Sequence, residues 1–268
     1  MKKLLQTAGC CFFSFVIMLI AQAISNIISN LIILVGFPAF MGIVVFAVLY
    51  PLFTYLGVKY IIAKIYNLDL QEIGIKKFSV RPVWCITALI LPVAIMSAFV
   101  LMTGSQDLFP YENITPLIST LSLVYIAVVI PQEMALCCVI TGIIRKNYNT
   151  KSAVIIFSVI YSIINIAISN NLSPNAVIPV FITGMMSGMM FALVLLESGN
   201  FWNSVLINIS VAILTIFTAV SGIGINGDNA IKLSVISAIG YITVDIIAFI
   251  MIKKKANQNP EKTEINEN

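Results

Sequence analysis

One carboxylate stands inside an apolar stretch of the chain. Glu133 lies in PQEMALCCVITGIIRK, residues 131–146, where nearly every neighbour is hydrophobic. It precedes Arg145 by twelve residues, or about 18 Å along a helix at 1.5 Å per residue. A carboxylate can act as a general base, bind a cation or carry a proton. Any of these roles would explain a charge among apolar residues, and the alternative is a protonated carboxyl held by hydrogen bonds to Gln132 or an asparagine.

Two asparagines lie in comparable positions on later apolar segments. Asn165 is about 21 Å, and Asn208 about 12 Å, from the polar end of its own segment. We expect these amides and Glu133 to share an interior pocket, although asparagines also serve as hydrogen-bonding links between membrane helices. Asp245, in YITVDIIAF, is a second deep carboxylate.

The composition identifies the medium in which these side chains are placed. Sixty per cent of the 268 residues are hydrophobic, ten per cent are charged, and the mean hydropathy is +1.04. A soluble domain could not cover that much apolar surface, so the sequence predicts an all-α, polytopic membrane helix bundle. The apolar runs predict about eight transmembrane helices, at residues 8–29, 37–63, 83–103, 117–144, 152–169, 175–196, 201–221 and 230–252.

The basic residues predict the orientation of this bundle. Fourteen of the fifteen lie before span one, around the link between spans two and three, or after spans four and eight, with Lys232 as the exception. The positive-inside rule then places both termini in the cytoplasm. We expect a transmembrane domain at 1–252, a disordered cytoplasmic tail at 253–268, and the lipid bilayer as a partner. The sequence has no patch that combines aromatic and basic residues, so we expect no nucleic-acid partner.

The order of the polar motifs resembles the CPBP family of intramembrane endopeptidases, also called the Abi or CAAX-protease family. That family carries Glu-Glu-x-x-x-Arg on one span, Phe-x-x-x-His on the next and His-x-x-x-Asn on a later one. The segments QEMALCC, YSIIN and NFWNSVLINISVA follow the same order, within a motif core at 117–221. The resemblance implies a pocket at Gln132, Glu133, Cys137, Tyr161, Asn165, Asn208 and Ala212.

Most of the catalytic groups of that family are replaced in this chain. Glu133 alone matches; Gln132, Cys137, Asn165, Asn208 and Ala212 stand where the family has Glu, Arg, His, His and Asn. The chain contains no histidine, and a zinc site normally needs three imidazole, thiolate or carboxylate ligands. We therefore expect no metal and no cofactor, with Glu133 as a vestigial catalytic residue.

The sequence thus favours a non-catalytic CPBP-like protein that binds a peptide or a membrane-protein partner. The resemblance implies a role such as bacteriocin immunity or regulation, as a multi-pass protein of the bacterial cytoplasmic membrane. A bacterial source also agrees with two arginines against thirteen lysines. One alternative is an active intramembrane endopeptidase that cleaves prenylated or leader peptides with Glu133 as base. Another is a small transporter that uses Glu133 and Asp245 as proton carriers.

Overall fold

All the secondary structure in the described part of the chain is helical. The computed structural model describes residues 2–104, 123, 127–168, 174–220 and 228–258. The helices are α1 (Lys2–Leu34), α2 (Ala39–Tyr66), α3 (Pro82–Thr103), α4 (Ala127–Asn147), α5 (Thr150–Ile168), α6 (Pro174–Ser198), α7 (Phe201–Val220) and α8 (Asp228–Gln258). Short π-helical stretches interrupt α2 at Val58–Ile62 and α4 at Glu133–Cys138.

The lengths and apolar character of these helices confirm a multi-pass membrane bundle. Seven of the described helices are long and apolar enough to cross a bilayer, and α7 contains a shorter apolar helix at Phe201–Leu214. A helix satisfies its own backbone groups, which a hydrocarbon solvent cannot do. Each described helix overlaps one predicted span, while the start of the predicted span at 117–144 lies outside the described residues. The placement of the termini in the cytoplasm stays a prediction.

Helix α4 forms the centre of the bundle. It is buried almost all round, whereas the other membrane-length helices leave much of their apolar surface exposed. Helices α1, α5, α6 and α7 pack around it, α8 packs against α6 and α3, and α3 packs against α7. An apolar surface left exposed on the outer helices suits contact with lipid rather than with water.

Helices α5 and α6 approach each other closely at two glycines of α6. A Cβ atom added at Gly184 would lie 3.0 Å from the Cα of Ser162, and one at Gly188 would lie 3.0 Å from the Cα of Ser158. The Ser162 hydroxyl donates to the carbonyl of Phe181 across this contact, at 2.6 Å. Small residues let membrane helices approach until hydroxyls reach a neighbouring backbone. The contact positions the α5 and α6 side chains described below.

Basic side chains fix one end of the bundle. Helix α2 ends where Asn67 adopts a left-handed conformation, φ 51°. The Lys146 ammonium from α4 donates to the carbonyls of Tyr66 and Asn67, at 3.2 and 2.6 Å. Arg145 donates to the carbonyl of Glu72 at 2.9 Å. Lys146 thus satisfies carbonyls that the end of α2 leaves without partners, and Arg145 joins α4 to the turn that follows.

The predicted boundary of the membrane domain differs from the observed helix. Helix α8 continues to Gln258, past the predicted boundary at 252, so the first residues of the predicted tail are helical. Charged residues continue a helix readily once it has left the bilayer, because lysine has high helix propensity. Residues 259–268 of that tail lie outside the described residues.

Candidate functional site

The carboxylate of Glu133 is buried at the start of the π-helical stretch of α4. Glu133 is 1% exposed, and both of its carboxylate oxygens accept hydrogen bonds from side chains of α7. The Ser204 hydroxyl lies 2.5 Å from Oε2, and the Asn208 amide nitrogen lies 2.7 Å from Oε1. Residues 204 and 208 are one turn apart, so a single face of α7 presents both donors. Glu133 is therefore fully partnered by neutral groups.

The widened turn also brings a thiol to this carboxylate. Cys137 lies within hydrogen-bonding reach of both Glu133 and Ser204. The Thr141 hydroxyl donates to the Cys137 carbonyl within the same helix. π-Helical stretches are rare and occur frequently at functional sites. Here the stretch places Glu133 and Cys137 against α7 together.

The donors around Glu133 do not fit a zinc site. Within the described ranges, no three or more His, Cys, Asp or Glu side chains are grouped so that they could hold a metal ion. Glu133 and Cys137 supply two candidate ligands, and the amide nitrogen of Asn208 points its donor at the carboxylate. A zinc centre needs three or four basic ligands.

A polar cavity of about 480 Å³ lies next to the Glu133 cluster. Helices α4, α5, α6, α7 and α8 all contribute to its wall. Five of the residues predicted to form the pocket line it: Gln132, Tyr161, Asn165, Asn208 and Ala212. Glu133 and Cys137 are not among the lining residues, and they are connected to the cavity through Asn208, which lines it and donates to Glu133.

Helices α6 and α8 supply polar lining residues that the motif alignment does not include. These are Thr183, Ser187, Ser234 and Tyr241. The Thr183 hydroxyl lies 3.2 Å from the carbonyl of Ser234, which joins the two helices at the wall. Serine and threonine are common in membrane helices, so their presence alone did not indicate a site. The tight α5–α6 contact at Gly184, itself a lining residue, brings Thr183 and Ser187 to the wall.

Asp245 is buried without a hydrogen-bond partner. It is 3% exposed, and neither carboxylate oxygen has a partner among the described residues. It lies one turn from Tyr241 on α8, on the side toward the basic end of the bundle. The Glu133 cluster does not include it, so the two deep carboxylates occupy separate environments.

Replacement of Asp245 by valine is expected to raise the free energy of unfolding by about 1–3 kcal/mol, because a buried polar group without a partner costs about that much. Equilibrium unfolding in detergent micelles measures the change. Thr54→Val is the matched control, since the Thr54 hydroxyl is also buried without a described partner. A loss of stability in Asp245→Val alongside a gain in Thr54→Val would show that Asp245 has a stabilising partner.

A third buried carboxylate, Glu197, was not predicted as a site residue. It is the penultimate residue of α6 and is 2% exposed. Its oxygens accept from the Arg81 guanidinium, from the indole nitrogen of Trp84 at 2.9 Å, and from the Lys255 ammonium at 2.9 Å. In the sequence, Glu197 could have been noticed as a single acidic residue at the end of a predicted span, on the side of the bundle where the basic residues are concentrated.

No protein-family model matches the sequence, and no similar protein was found among curated proteins or solved structures. The resemblance to the CPBP family therefore rests on the motif order alone.

Proposed function

We propose that this chain is a non-catalytic, CPBP-like membrane protein that binds a peptide or a transmembrane segment of a partner in the polar cavity. The observation that carries the proposal is the lining of the cavity. Among the described residues, fourteen line the cavity; eight of these carry amide or hydroxyl groups, and none is a carboxylate, lysine or arginine. Such a wall offers neutral donors and acceptors within the bilayer.

The chemistry of the wall supports a ligand that displays peptide groups. Backbone N–H and C=O groups that lose their helical partners inside a membrane must be satisfied by other polar groups. The amides of Gln132, Asn165 and Asn208 can each both donate and accept, as a peptide group does. A volume of about 480 Å³ lies within the usual range for small-ligand pockets, about 300–1,000 Å³. It would hold a few residues of an unwound segment.

The position of Glu133 supports binding without hydrolysis. A general base must reach the proton it removes, directly or through one water. Both Glu133 oxygens are occupied by Ser204 and Asn208, and Glu133 does not line the cavity. An active endopeptidase would need Asn208 to move aside before Glu133 could activate water at the cavity surface.

The same binding activity is compatible with the biological roles implied by the family resemblance. A protein that holds a bacteriocin segment or a membrane sensor without cutting it could confer immunity or regulate that sensor.

The proton-coupled transporter remains the second candidate function, because Asp245 is a buried carboxylate without a described partner. Intramembrane carboxylates of this kind often mark ion pathways.

Photo-crosslinking in the cells that produce the protein tests peptide binding. A benzoylphenylalanine at Val180, a cavity-lining residue of α6, is expected to capture a discrete peptide or membrane protein. The matched control is the same amino acid at Ile178, which is 69% exposed on the lipid-facing side of α6. A synthetic copy of the captured segment is then expected to bind purified protein, with affinity reduced at least tenfold by Val180→Trp and unchanged by Ile178→Trp.

Two results would contradict the proposal. Equal capture from positions 178 and 180 would show that the cavity does not select a ligand. Cleavage of the synthetic segment, abolished by Glu133→Gln, would establish the endopeptidase instead.

A further inference from the structure

A cluster of basic residues surrounds the corner between α6 and α7. Glu197 lies at the start of this corner and Trp202 at its end. Arg81 from the start of α3 and Lys255 from the end of α8 both contact the Glu197 carboxylate. Lys76 and Lys77 lie in the connector between α2 and α3, and their carbonyls accept hydrogen bonds from the corner. We call these four cations and the corner the basic corner.

Glu197 organises two of the cations without neutralising them. Its side chain is fully buried, whereas the side chains of Arg81 and Lys255 are 38% and 45% exposed. The indole of Trp84 holds the second oxygen of the carboxylate. One negative charge therefore faces two positive charges, so the pair keeps one net positive charge. An arginine fork and an ammonium have several donors each, and their exposed fractions leave some of these donors open to solvent.

Backbone contacts hold the two lysines at the same corner. The Asn200 amide donates to the carbonyl of Lys77 at 2.9 Å, and the Trp202 indole donates to the carbonyl of Lys76 at 3.3 Å. The amide of Phe201 donates to the carbonyl of Gly74 at 2.9 Å. A Cβ added at Gly199 would lie 3.7 Å from the Lys76 ammonium. The connector is thus fixed by its main chain, and the ammonium groups of Lys76 and Lys77 are not needed for that attachment.

Aromatic side chains mark this corner as a membrane-surface site. Phe78 is 74% exposed and packs edge-on against the partly buried Trp202, with ring centroids 5.2 Å apart. Tryptophan and exposed aromatic rings are typical of the boundary between hydrocarbon and headgroups. The corner also lies at the ends of two membrane-length helices, α6 and α8, where headgroups would stand.

We propose that the basic corner binds the phosphate of an anionic phospholipid headgroup. Arg81 and Lys255, fixed by Glu197, would face the phosphate, with Lys76 and Lys77 adding positive charge beside it. Arginine and lysine both bind phosphate oxygens, arginine through paired N–H groups and lysine as a point charge. The lipid tails would extend along the apolar surface above Phe78.

Native mass spectrometry of the purified protein with phosphatidylglycerol and phosphatidylcholine tests this proposal. The double variant Lys76→Gln/Lys77→Gln is suitable because the attachments of the connector at these residues use their main-chain carbonyls. A basic residue beside a bound anionic headgroup contributes roughly a fivefold gain in affinity, so removal of two such residues from the basic corner should weaken the retention of phosphatidylglycerol about 25-fold. The matched control is Lys59→Gln/Lys64→Gln, which removes two lysines from the same end of the bundle and should retain the lipid.

Three results would overturn the proposal. The two lipids could be retained equally by the unsubstituted protein, or the two double variants could lose phosphatidylglycerol equally. Inorganic phosphate could also displace the lipid at millimolar concentration, which would assign the corner to a free anion. Thermal unfolding of both double variants, measured in parallel, is expected to match that of the unsubstituted protein and thus to separate lost binding from lost folding.

Discussion

Replacement of Glu133 by alanine is expected to lower the free energy of unfolding by about 3–5 kcal/mol. The substitution removes the acceptor of the Asn208 amide at the centre of the bundle, and it leaves the Ser204 hydroxyl with the carbonyl of Phe191 as its remaining acceptor, at 3.2 Å. Each buried donor that loses its partner costs about 1–3 kcal/mol, and the lost side-chain volume adds a cavity. Reversible unfolding in mixed detergent micelles measures the difference.

Glutamine at the same position is expected to cost only about 1 kcal/mol, the net worth of one ordinary hydrogen bond. Its carbonyl can still accept from Asn208, while its new amide group can donate to Ser204. The Ser204 hydroxyl can then turn toward the carbonyl of Phe191, which lies 3.2 Å away. The cluster would therefore remain partnered after the charge is removed.

The contrast between the two variants separates a hydrogen-bonding role from a charged one. Glu72→Ala is the matched control, because that side chain is exposed and its contact with Arg145 uses the backbone carbonyl. We expect no measurable change in that variant. If glutamine at position 133 destabilises as strongly as alanine, the charge itself holds the cluster and the neutral hydrogen-bonding account is wrong.

The fold could be predicted largely because membrane-spanning segments are long and apolar, which the hydropathy of the sequence shows directly. A segment in hydrocarbon must satisfy its own backbone groups, and long apolar runs without an alternating pattern do so as helices. The same cost explains why Gln132, Asn165 and Asn208 could be selected, since a strongly polar side chain deep in a membrane needs a partner. The structure brings these three residues to one cavity wall. Their roles as a binding pocket stay a prediction.

The partners of the deep residues could not be predicted in the same way. Ser204 is one of many serines, and serine in a membrane helix usually bonds its own backbone, as Ser14 and Ser25 do here. Its contact with Glu133 depends on the facing of α4 and α7, which tertiary packing decides. The π-helical stretch of α4 rotates the following side chains around the helix axis, and a sequence pattern with 3.6 residues per turn does not predict that rotation.

Glu197→Ala is expected to lower the free energy of unfolding by about 1–4 kcal/mol. The buried indole N–H of Trp84 loses its acceptor, which costs about 1–3 kcal/mol. Arg81 and Lys255 lose their shared counter-charge, but both side chains are more than one third exposed. Water and salt screen such pairs, so this contribution is small, about 0–1 kcal/mol.

A double-mutant cycle between Glu197→Gln and Trp84→Phe isolates the buried part of this effect. Glutamine keeps an acceptor and a similar volume, while phenylalanine removes only the indole donor and part of the ring. We expect a coupling energy of about 1–1.5 kcal/mol, which is the excess of a hydrogen bond to a charged group over one to a neutral acceptor. Unfolding at low and at high salt should give the same coupling, because a buried pair is screened much less than a surface pair. A coupling near zero, or one that disappears in high salt, would instead assign the stability of this end of the bundle to the exposed ion pairs of Arg81 and Lys255.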